Sequence, residues 1–511
     1  MEQRTDVAII GAGFGGLAMA KRLLDEGTTD FLVLEKGDDV GGTWRDNTYP
    51  GAACDVPSHV YSLSFAPNPD WSAVFSTQSE IFAYLQRVAS DHGIAPHIRF
   101  GTEVKDAAWD AGEQRWRIET VKGTVSARVL VAAAGPFSTP SIPELPGLES
   151  FEGTSFHSAN WDHDFELEGK RVAVVGTGAS AIQFVPEIQP KVGKLHLFQR
   201  TPPWITRRND RKLTRIEKRL FRRLPAAQQA VRRFIFWTWE ARTVMFIRRP
   251  LAEIMRKAAL AHIHLQVKDR ELRRKVTPRF VPGCKRMLMS NTYYPALAAD
   301  NAEVVTDGIA EIRAHSIVDA EGVEREVDAI IWGTGFHVTD PPVAEHVRGA
   351  DGRSLAERWH GSMAAYRGTT VAGFPNMFFL LGPNTGLGSN SVVAVSEAQA
   401  DYAIDALRQM RAGGIATVEP RPEAQAAYNA EVQAGFDGTV WAEGECASWY
   451  RDASGRNTTL WPDFSFRLHR KLREFDLAAY QATPIRAIHG EPSPAAPGRE
   501  AEEAAVDEVA A

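Results

Sequence analysis

Three cysteines in 511 residues, Cys54, Cys284 and Cys446, with no C-x-x-C among them, argue against a disulfide framework and against a thioredoxin-type redox pair. No run of 18 or more apolar residues occurs, and the chain enters a strand pattern directly after Thr5, with no basic region followed by an apolar one. Neither a membrane span nor a secretory leader is therefore expected, and with so little cysteine the expected location is the cytoplasm. A formal charge of only −6 gives no general reason to expect a nucleic-acid partner. No metal site is expected, and no internal repeat is visible beyond two related glycine-rich units. What is present is an ordinary globular composition, 44% hydrophobic, long enough for two or three domains.

The first glycine-rich unit is a strand, a loop and a helix. Asp6-Val-Ala-Ile-Ile10 has the unbroken apolar character of a buried parallel strand and runs into Gly11-Ala-Gly13-Phe-Gly-Gly16, followed by helical periodicity over 17–24. In such a loop Gly11 permits the turn, Gly13 lets backbone N–H groups approach a pyrophosphate, and Gly16 allows close helix packing, with the helix N-terminus facing the anion. A second strand, Phe31-Leu-Val-Leu34, ends in Glu35, where an acid accepts hydrogen bonds from a ribose diol. The alternative is a glycine-rich turn beside a surface acid. The second unit is Arg171-Val-Ala-Val-Val175 leading into Gly176-Thr-Gly178-Ala-Ser180-Ala181 and a helix over 179–189. Its next strand, 195–198, ends in Gln199-Arg200-Thr201, where an NAD site carries an acid. An arginine there suits a 2′-phosphate, so two dinucleotides are expected, the second of them NADPH.

Between and around these units lie three further stretches. Gly41-Gly42-Thr43-Trp44 and Tyr49-Pro50-Gly51-Ala-Ala-Cys54-Asp55 read as a long polar loop of the kind that carries function. Taken alone, Asp55 is as well explained as a helix cap or a solvated turn. Phe151, Gly153, His157, Trp161 and Asp162 form a spaced set just before the second unit, readable alone as one packed face of a short helix or turn. Gly283-Cys284-Lys285-Arg286 places two cations side by side; if the segment is extended they point to opposite sides and serve two ligands, and otherwise they are an ordinary solvated pair.

Together these motifs resemble those of type I Baeyer-Villiger monooxygenases, a branch of the flavin-containing monooxygenases. The spaced set 151–162 is similar to the signature F-x-G-x-x-x-H-x-x-x-W-(P/D), and the 41–55 loop to a second one, (A/G)-G-x-W-x-x-x-x-(F/Y)-P-(G/M)-x-x-x-D. The resemblance covers most of residues 5–465. It implies FAD in the first unit, contacted by Gly11, Gly13, Gly16, Glu35, Gly42, Thr43, Trp44, Tyr49 and Asp55, with Asn384 in the late segment Gly373–Asn390. It implies NADPH in the second, held by Gly176, Gly178, Ser180, Arg200, Thr201 and Lys285. Arg286 would stabilise the charge of a C4a-peroxyflavin and of its adduct with a ketone, while Asp55 would orient Arg286; the products would be esters or lactones. The strand Asp328–Trp332 closing on Gly333-Thr334-Gly335 is similar to the motif that returns such chains to the flavin domain. Rival readings are a sulfur- or nitrogen-oxidising flavin monooxygenase and a nucleotide-sensing flavoprotein without turnover.

The expected fold is therefore α/β, with two Rossmann-like dinucleotide-binding domains. Residues 1–140 and 338–485 would bind FAD, 141–337 would bind NADPH, and 486–511, rich in Pro, Ala and Glu, would be a disordered tail. Residues 207–280, where Arg and Lys outnumber acids and aromatics recur at helical spacing, should be a helical insertion in the NADPH domain. Such a basic amphipathic face covers a substrate more often than it touches a membrane, so a cover is the favoured reading and membrane-surface contact the weaker one.

Overall fold

The computed structural model describes residues 2–485, and the expected tail at 486–511 lies outside them. The strand β1 (Gln3–Ile10) runs parallel to β2 (Phe31–Leu34), and α1 (Phe14–Asp25) crosses between them. Val7, Ala8, Ile9 and Val33 are fully buried, as their uninterrupted apolar run requires of a strand covered on both faces. Further along the same sheet come β3 (Ile98–Arg99), β4 (Val104–Asp110), β5 (Arg115–Thr120) and β6 (Gly123–Ala132). The order is β4-β5-β6-β1-β2-β3, with strands Val347–Arg348 and Met377–Phe379 joining from the far end of the chain. Two short helices' worth of sequence precede β3: α2 (Thr43–Asp46) is a single turn inside the expected 41–55 loop, and α3 (Gln78–Asp91) is capped by the Thr77 hydroxyl.

A second, all-parallel sheet contains β7 (Thr154–His157), β8 (Arg171–Val175) and β9 (Lys194–Phe198), in the order Ala302–Val305, β9, β8, Ala329–Trp332, β7. The spaced set 151–162 thus supplies the edge strand at 154–157 and then a short helical turn, Ser158–Asn160, with His157 in register with Trp332 immediately before Gly333-Thr334-Gly335. A side chain at Gly153 would strike the Phe151 ring and the Asp328 carbonyl, which explains the F-x-G spacing by packing alone. Trp161 stacks among Phe156 and Phe184, and the Asp162 carboxylate closes a turn by accepting from the N–H groups of Asp164 and Phe165.

Residues 215–276 are helical, as expected: α4 (Ala181–Ile188) of the second unit is followed by α5 (Arg215–Arg223), α6 (Pro225–Arg242) and three shorter helices. A capping box of Thr214 and Glu217 starts α5. The buried carboxylate of Glu240 near the end of α6 accepts from Asn390 Nδ2 at 2.7 Å, Ser465 Oγ at 2.7 Å and the Phe466 N–H at 3.2 Å. Arg232 donates to the His59 and Ser62 carbonyls. The insertion is thereby tied to residues 59–62, to Asn390 just before the long helix Val392–Ala412, and to Ser465 and Phe466. Its outer side exposes Ile216, Leu224, Phe234 and Trp237.

Candidate active site

The loop 49–55 reaches across to the second unit. The Tyr49 hydroxyl donates to Gln183 Oε1 on α4 at 2.9 Å, and Gln183 Nε2 donates to the Ala53 carbonyl at 2.9 Å. Gly51 has φ +77°, and a side chain there would meet the Gln183 carbonyl at 2.8 Å, so only glycine lets the loop lie on α4. This anchoring delivers Asp55 to Arg286, 231 positions away. Arg286 Nε and Nη2 donate to the two carboxylate oxygens, each at 2.8 Å, while the pair keeps 31% and 28% of its side-chain surface exposed. Burial alone would raise the Asp55 carboxyl. The Arg286 charge and hydrogen bonds overcome this and hold it below the usual carboxylate range, and the Asp55 charge raises Arg286 still further above neutral pH. Both groups stay ionised, and Nη1 of Arg286 is not used by Asp55.

Residues 281–287 form a turn rather than the extended segment that would have explained the divergence of Lys285 and Arg286. The two still separate. Lys285 turns away from Asp55 into a cavity of about 470 Å³ lined by Arg200, Thr201, Arg274, Lys275, Arg279 and Phe280, among others. Burial and then the Arg200 charge push the Lys285 ammonium down. Two cations held together without a carboxylate between them repel, and an anion in the cavity would relieve both. The lining includes one acid, Glu445, against Arg200, Arg274, Lys275, Arg279 and Lys285, so the cavity is net positive and suits an anion.

The phosphate loops can be tested against the groups expected in them. Gly13 caps α1 at φ −82°, an ordinary conformation for any residue, and a side chain there would approach nothing in the protein closer than Gly42 Cα at 4.0 Å. The protein does not need glycine at 13; a ligand lying against the Gly13–Gly42 backbone does. No side chain caps either α1 or α4, and neither has an acid in its first turn, so the N–H groups of both helix ends are left for an anion. Glu35 accepts from the N–H groups of Ala12 and Gly37, both at 2.8 Å, and from Arg45 at 2.7 Å, which orients it beside the loop and leaves acceptor capacity for a hydroxyl. Asn384 donates to the carbonyls of Asn457 and Leu460, while its own Oδ1 is buried without a partner. These residues fit two dinucleotides. His157 is likewise incomplete: Nδ1 accepts from the Ala159 N–H, and Nε2 is buried and unpaired beside Phe336.

The comparisons with known proteins agree with this geometry. The family described as flavin-binding monooxygenase-like matches residues 4–353. A Baeyer-Villiger monooxygenase of Streptomyces coelicolor is 52% identical over 99% of this chain and 96% of its own length, and one of Pseudomonas aeruginosa is 50% identical over 95% and 93%. The chain belongs to the Baeyer-Villiger monooxygenases. Among solved structures, cyclohexanone monooxygenase from Rhodococcus sp. Phi1 bound to NADP+ superposes with a TM-score of 0.83 at 27% identity, covering 95% of this chain and all of the other. OTEMO in complex with FAD and NADP gives a TM-score of 0.84 at 26% identity, covering 94% and 100%. As a Baeyer-Villiger monooxygenase the protein is an FAD- and NADPH-dependent enzyme built on two Rossmann-like domains, as the paired glycine loops indicated. No helix among the described residues is long and apolar enough to cross a membrane.

Several residues of this monooxygenase's site escape a sequence reading. Gln183, the clip between α4 and the 49–55 loop, has no motif of its own. Tyr450 is 2% exposed; burial pushes its phenol up to about 12, and the opposing effects of Arg286 and Asp55 on it place it in the field of the pair. Arg208 lies 5.2 Å from the Phe75 ring centre and brings Nη2 to 3.5 Å from the Cys54 carbonyl. The expectation that the cysteines stay unpaired is corrected: Cys284 and Cys446 form a disulfide across 162 positions. No local spacing could announce it, because the two meet only where the segment around Gly444 crosses the 281–286 turn.

Proposed function

We propose that the enzyme oxidises ketones to esters or lactones, with Arg286 as the residue that touches the reacting oxygen and Asp55 as the residue that positions Arg286. The observation that carries this reading is the two-pronged Arg286–Asp55 pair at the junction of the two nucleotide units, with Nη1 left over. FAD, once bound and reduced by NADPH, would supply the activation of O2, from which the inserted oxygen atom comes. The chain's own contribution is to hold a fixed positive charge and free N–H donors where negative charge develops on oxygen, in a site partly shielded from water. Asp55 keeps the guanidinium plane from rotating and balances its charge, so the site does not trap an anion permanently. Arg200 and Lys285 hold the 2′-phosphate of NADPH, and Thr201, Gly176, Gly178 and Ser180 shape the rest of its cradle. Gly11, Gly13, Gly16, Glu35, Gly42, Thr43, Trp44 and Asn384 contact FAD. Tyr49 lines the flavin with this loop and also braces it through Gln183.

On this reading residues 1–140 with 338–485 form the FAD domain and 141–337 the NADPH domain, in a cytoplasmic enzyme. The helices of 207–280 cover the substrate. The deciding experiment incubates the yellow holoenzyme with NADPH, air and a panel of cyclic and linear ketones, sulfides and amines. Esters or lactones one oxygen heavier than the ketone support the proposal; oxidation confined to sulfides or amines replaces it with the heteroatom reading. Little NADPH oxidation in air, whatever substrate is offered, would point to a nucleotide sensor. Phe234 and Trp237, 71% and 55% exposed beside Arg233, are the residues that a membrane-surface role would use. Failure to sediment with anionic vesicles removes that role.

A further inference from the structure

Cys284 and Cys446 join two segments that matter for different reasons. Cys284 immediately precedes Lys285 and Arg286, and is 2% exposed. Cys446 is half-buried and lines the same cavity as Arg200, Thr201 and Lys285, four residues before Tyr450. Besides the disulfide, the contact consists of one backbone hydrogen bond, from the Val281 N–H to the Gly444 carbonyl at 3.2 Å, and of close packing: a side chain at Gly444 would meet Cys284 Cβ at 2.5 Å. The wall of the nucleotide cavity is therefore closed on one side by a covalent link between the turn that bears its lysine and a segment from far down the chain.

We propose that the Cys284–Cys446 disulfide is a redox-modified site that controls how tightly the enzyme retains its nicotinamide nucleotide; the inference rests on the assignment of the Lys285 cavity to NADPH. Oxidised, the link holds residues 443–450 against the Lys285–Arg286 turn and keeps the cavity closed. Reduced, the two segments keep one hydrogen bond and packing, and residues 443–445 keep only the solvent-exposed ion pairs of Glu443 and Glu445 with Arg249, so the wall opens more readily and nucleotide leaves sooner.

The chemistry is directional because Cys446 lines the cavity whereas Cys284 is buried behind it. A dithiol reductant attacks Cys446 Sγ and releases the Cys284 thiol. The second thiol of the reductant then displaces Cys446, so that one dithiol becomes a disulfide and both cysteines gain a proton. Reoxidation uses hydrogen peroxide, which the enzyme itself makes whenever reduction and oxygenation uncouple: NADPH, H+ and O2 give NADP+ and H2O2. Peroxide oxidises the Cys446 thiol to the sulfenic acid with release of one water, and the Cys284 thiol displaces the second water to form the disulfide. The cations of the cavity, Arg200, Arg274, Lys275, Arg279 and Lys285 against the single acid Glu445, favour the Cys446 thiolate that this step needs. Loss of nucleotide, leakage of peroxide and closure of the link thus form a self-correcting loop.

The test uses the FAD holoenzyme, divided into a sample oxidised with hydrogen peroxide and one reduced with dithiothreitol, both desalted. Iodoacetamide alkylation under denaturing conditions, followed by intact mass, should show one modified cysteine in the first and three in the second. NADP+ binding measured by calorimetry should weaken about five- to twentyfold on reduction, and peroxide formed per NADPH should rise. Cys446→Ser and Cys284→Ser should each bind NADP+ like the reduced wild type and should no longer respond to dithiothreitol. Three alkylated cysteines after peroxide treatment, or equal NADP+ affinity in both samples, would overturn the proposal while leaving the cavity assignment intact. If NADP+ binds neither sample, the assignment of the cavity falls and the redox control falls with it.

Discussion

Replacing Arg286 by alanine should separate the two halves of the catalytic cycle. The side chain gives two N–H groups to Asp55 and keeps Nη1 for a developing oxygen anion, so its loss removes both a charge and a preorganised donor. Removing one such donor typically lowers the rate of the step it serves by about a hundred- to a thousandfold, or roughly 3–4 kcal/mol. Reduction of the flavin by NADPH needs no oxyanion stabiliser and should persist, perturbed by little more than the altered charge. The fold should survive as well. A wholly buried carboxylate left unpaired costs about 3–5 kcal/mol. Asp55 is 28% exposed and still feels the Arg208 charge, so about 1–2 kcal/mol is a fairer figure here, a melting shift of a few degrees. The assay pairs stopped-flow flavin reduction with ester and peroxide formed per NADPH consumed. NADPH consumed as peroxide, with FAD occupancy unchanged, is the expected result. Asp55→Ala should uncouple more mildly, because the guanidinium remains but can rotate. Wild-type ester yield per NADPH in Arg286→Ala would refute the role assigned to this residue.

Gly13→Val should fold, since the position has room and an ordinary φ, yet it should purify with little FAD because the new side chain fills the approach to the pyrophosphate; full flavin content would contradict this. Arg200 and Lys285 should each contribute about 1–3 kcal/mol to binding of the 2′-phosphate, so Arg200→Ala should lower kcat/KM for NADPH at least fivefold with little change for NADH; equal use of the two by the wild type would remove the phosphate from this cavity. Acid stability should depend on His59. Burial, then the Arg232 charge, lower its imidazolium to about 4, and in the neutral ring Nδ1 accepts from Gln228. A folded pKa below the unfolded value near 6.5 means this stability is complete above that pH and is lost as pH falls towards 4, a contribution on the order of 3 kcal/mol. His59→Gln should flatten the fall in melting temperature between pH 6.5 and 4, and an unchanged slope would assign it to other groups.

The two nucleotide units were readable in the sequence because each is local: a strand, a glycine loop and a helix within some thirty residues, with an acid, Glu35, after the second strand of one and Arg200 at the matching place in the other. Asp55 and Arg286 were readable only through the resemblance of their surroundings to a family. Taken alone they were a loop acid and one of two adjacent cations, and nothing in either stretch specifies the other. The edge-strand role of Thr154–His157 was hidden because a four-residue strand leaves no periodicity to detect. Gln183 and the Cys284–Cys446 link were invisible for a related reason. Their partners are set by how one unit lies on the other, which depends on absent side chains at Gly51 and Gly444 as much as on those present.

That dependence explains why the site stands where it does. The first unit carries its acid on the 49–55 loop, and the second carries its arginine on the turn after the helical insertion. Neither unit contains a complete pair. The pair forms when Tyr49 and Gln183 bind the loop to α4 and Gly51 lets it pass, so the ion pair proposed to support oxygen transfer exists only while the two units are seated together. Gln183→Ala isolates this coupling, since it touches neither proposed nucleotide phosphate site and leaves Asp55 and Arg286 intact. It removes three hydrogen bonds, those that Oε1 accepts from the Tyr49 hydroxyl and the Ala53 N–H and the one that Nε2 donates to the Ala53 carbonyl, together about 1.5–4 kcal/mol. If the seam positions Asp55, this variant should keep normal FAD content and normal flavin reduction, yet lose coupling in the manner of Asp55→Ala. If ester per NADPH is unchanged while only the melting temperature falls, Gln183 is a structural clip and the loop holds Asp55 without it.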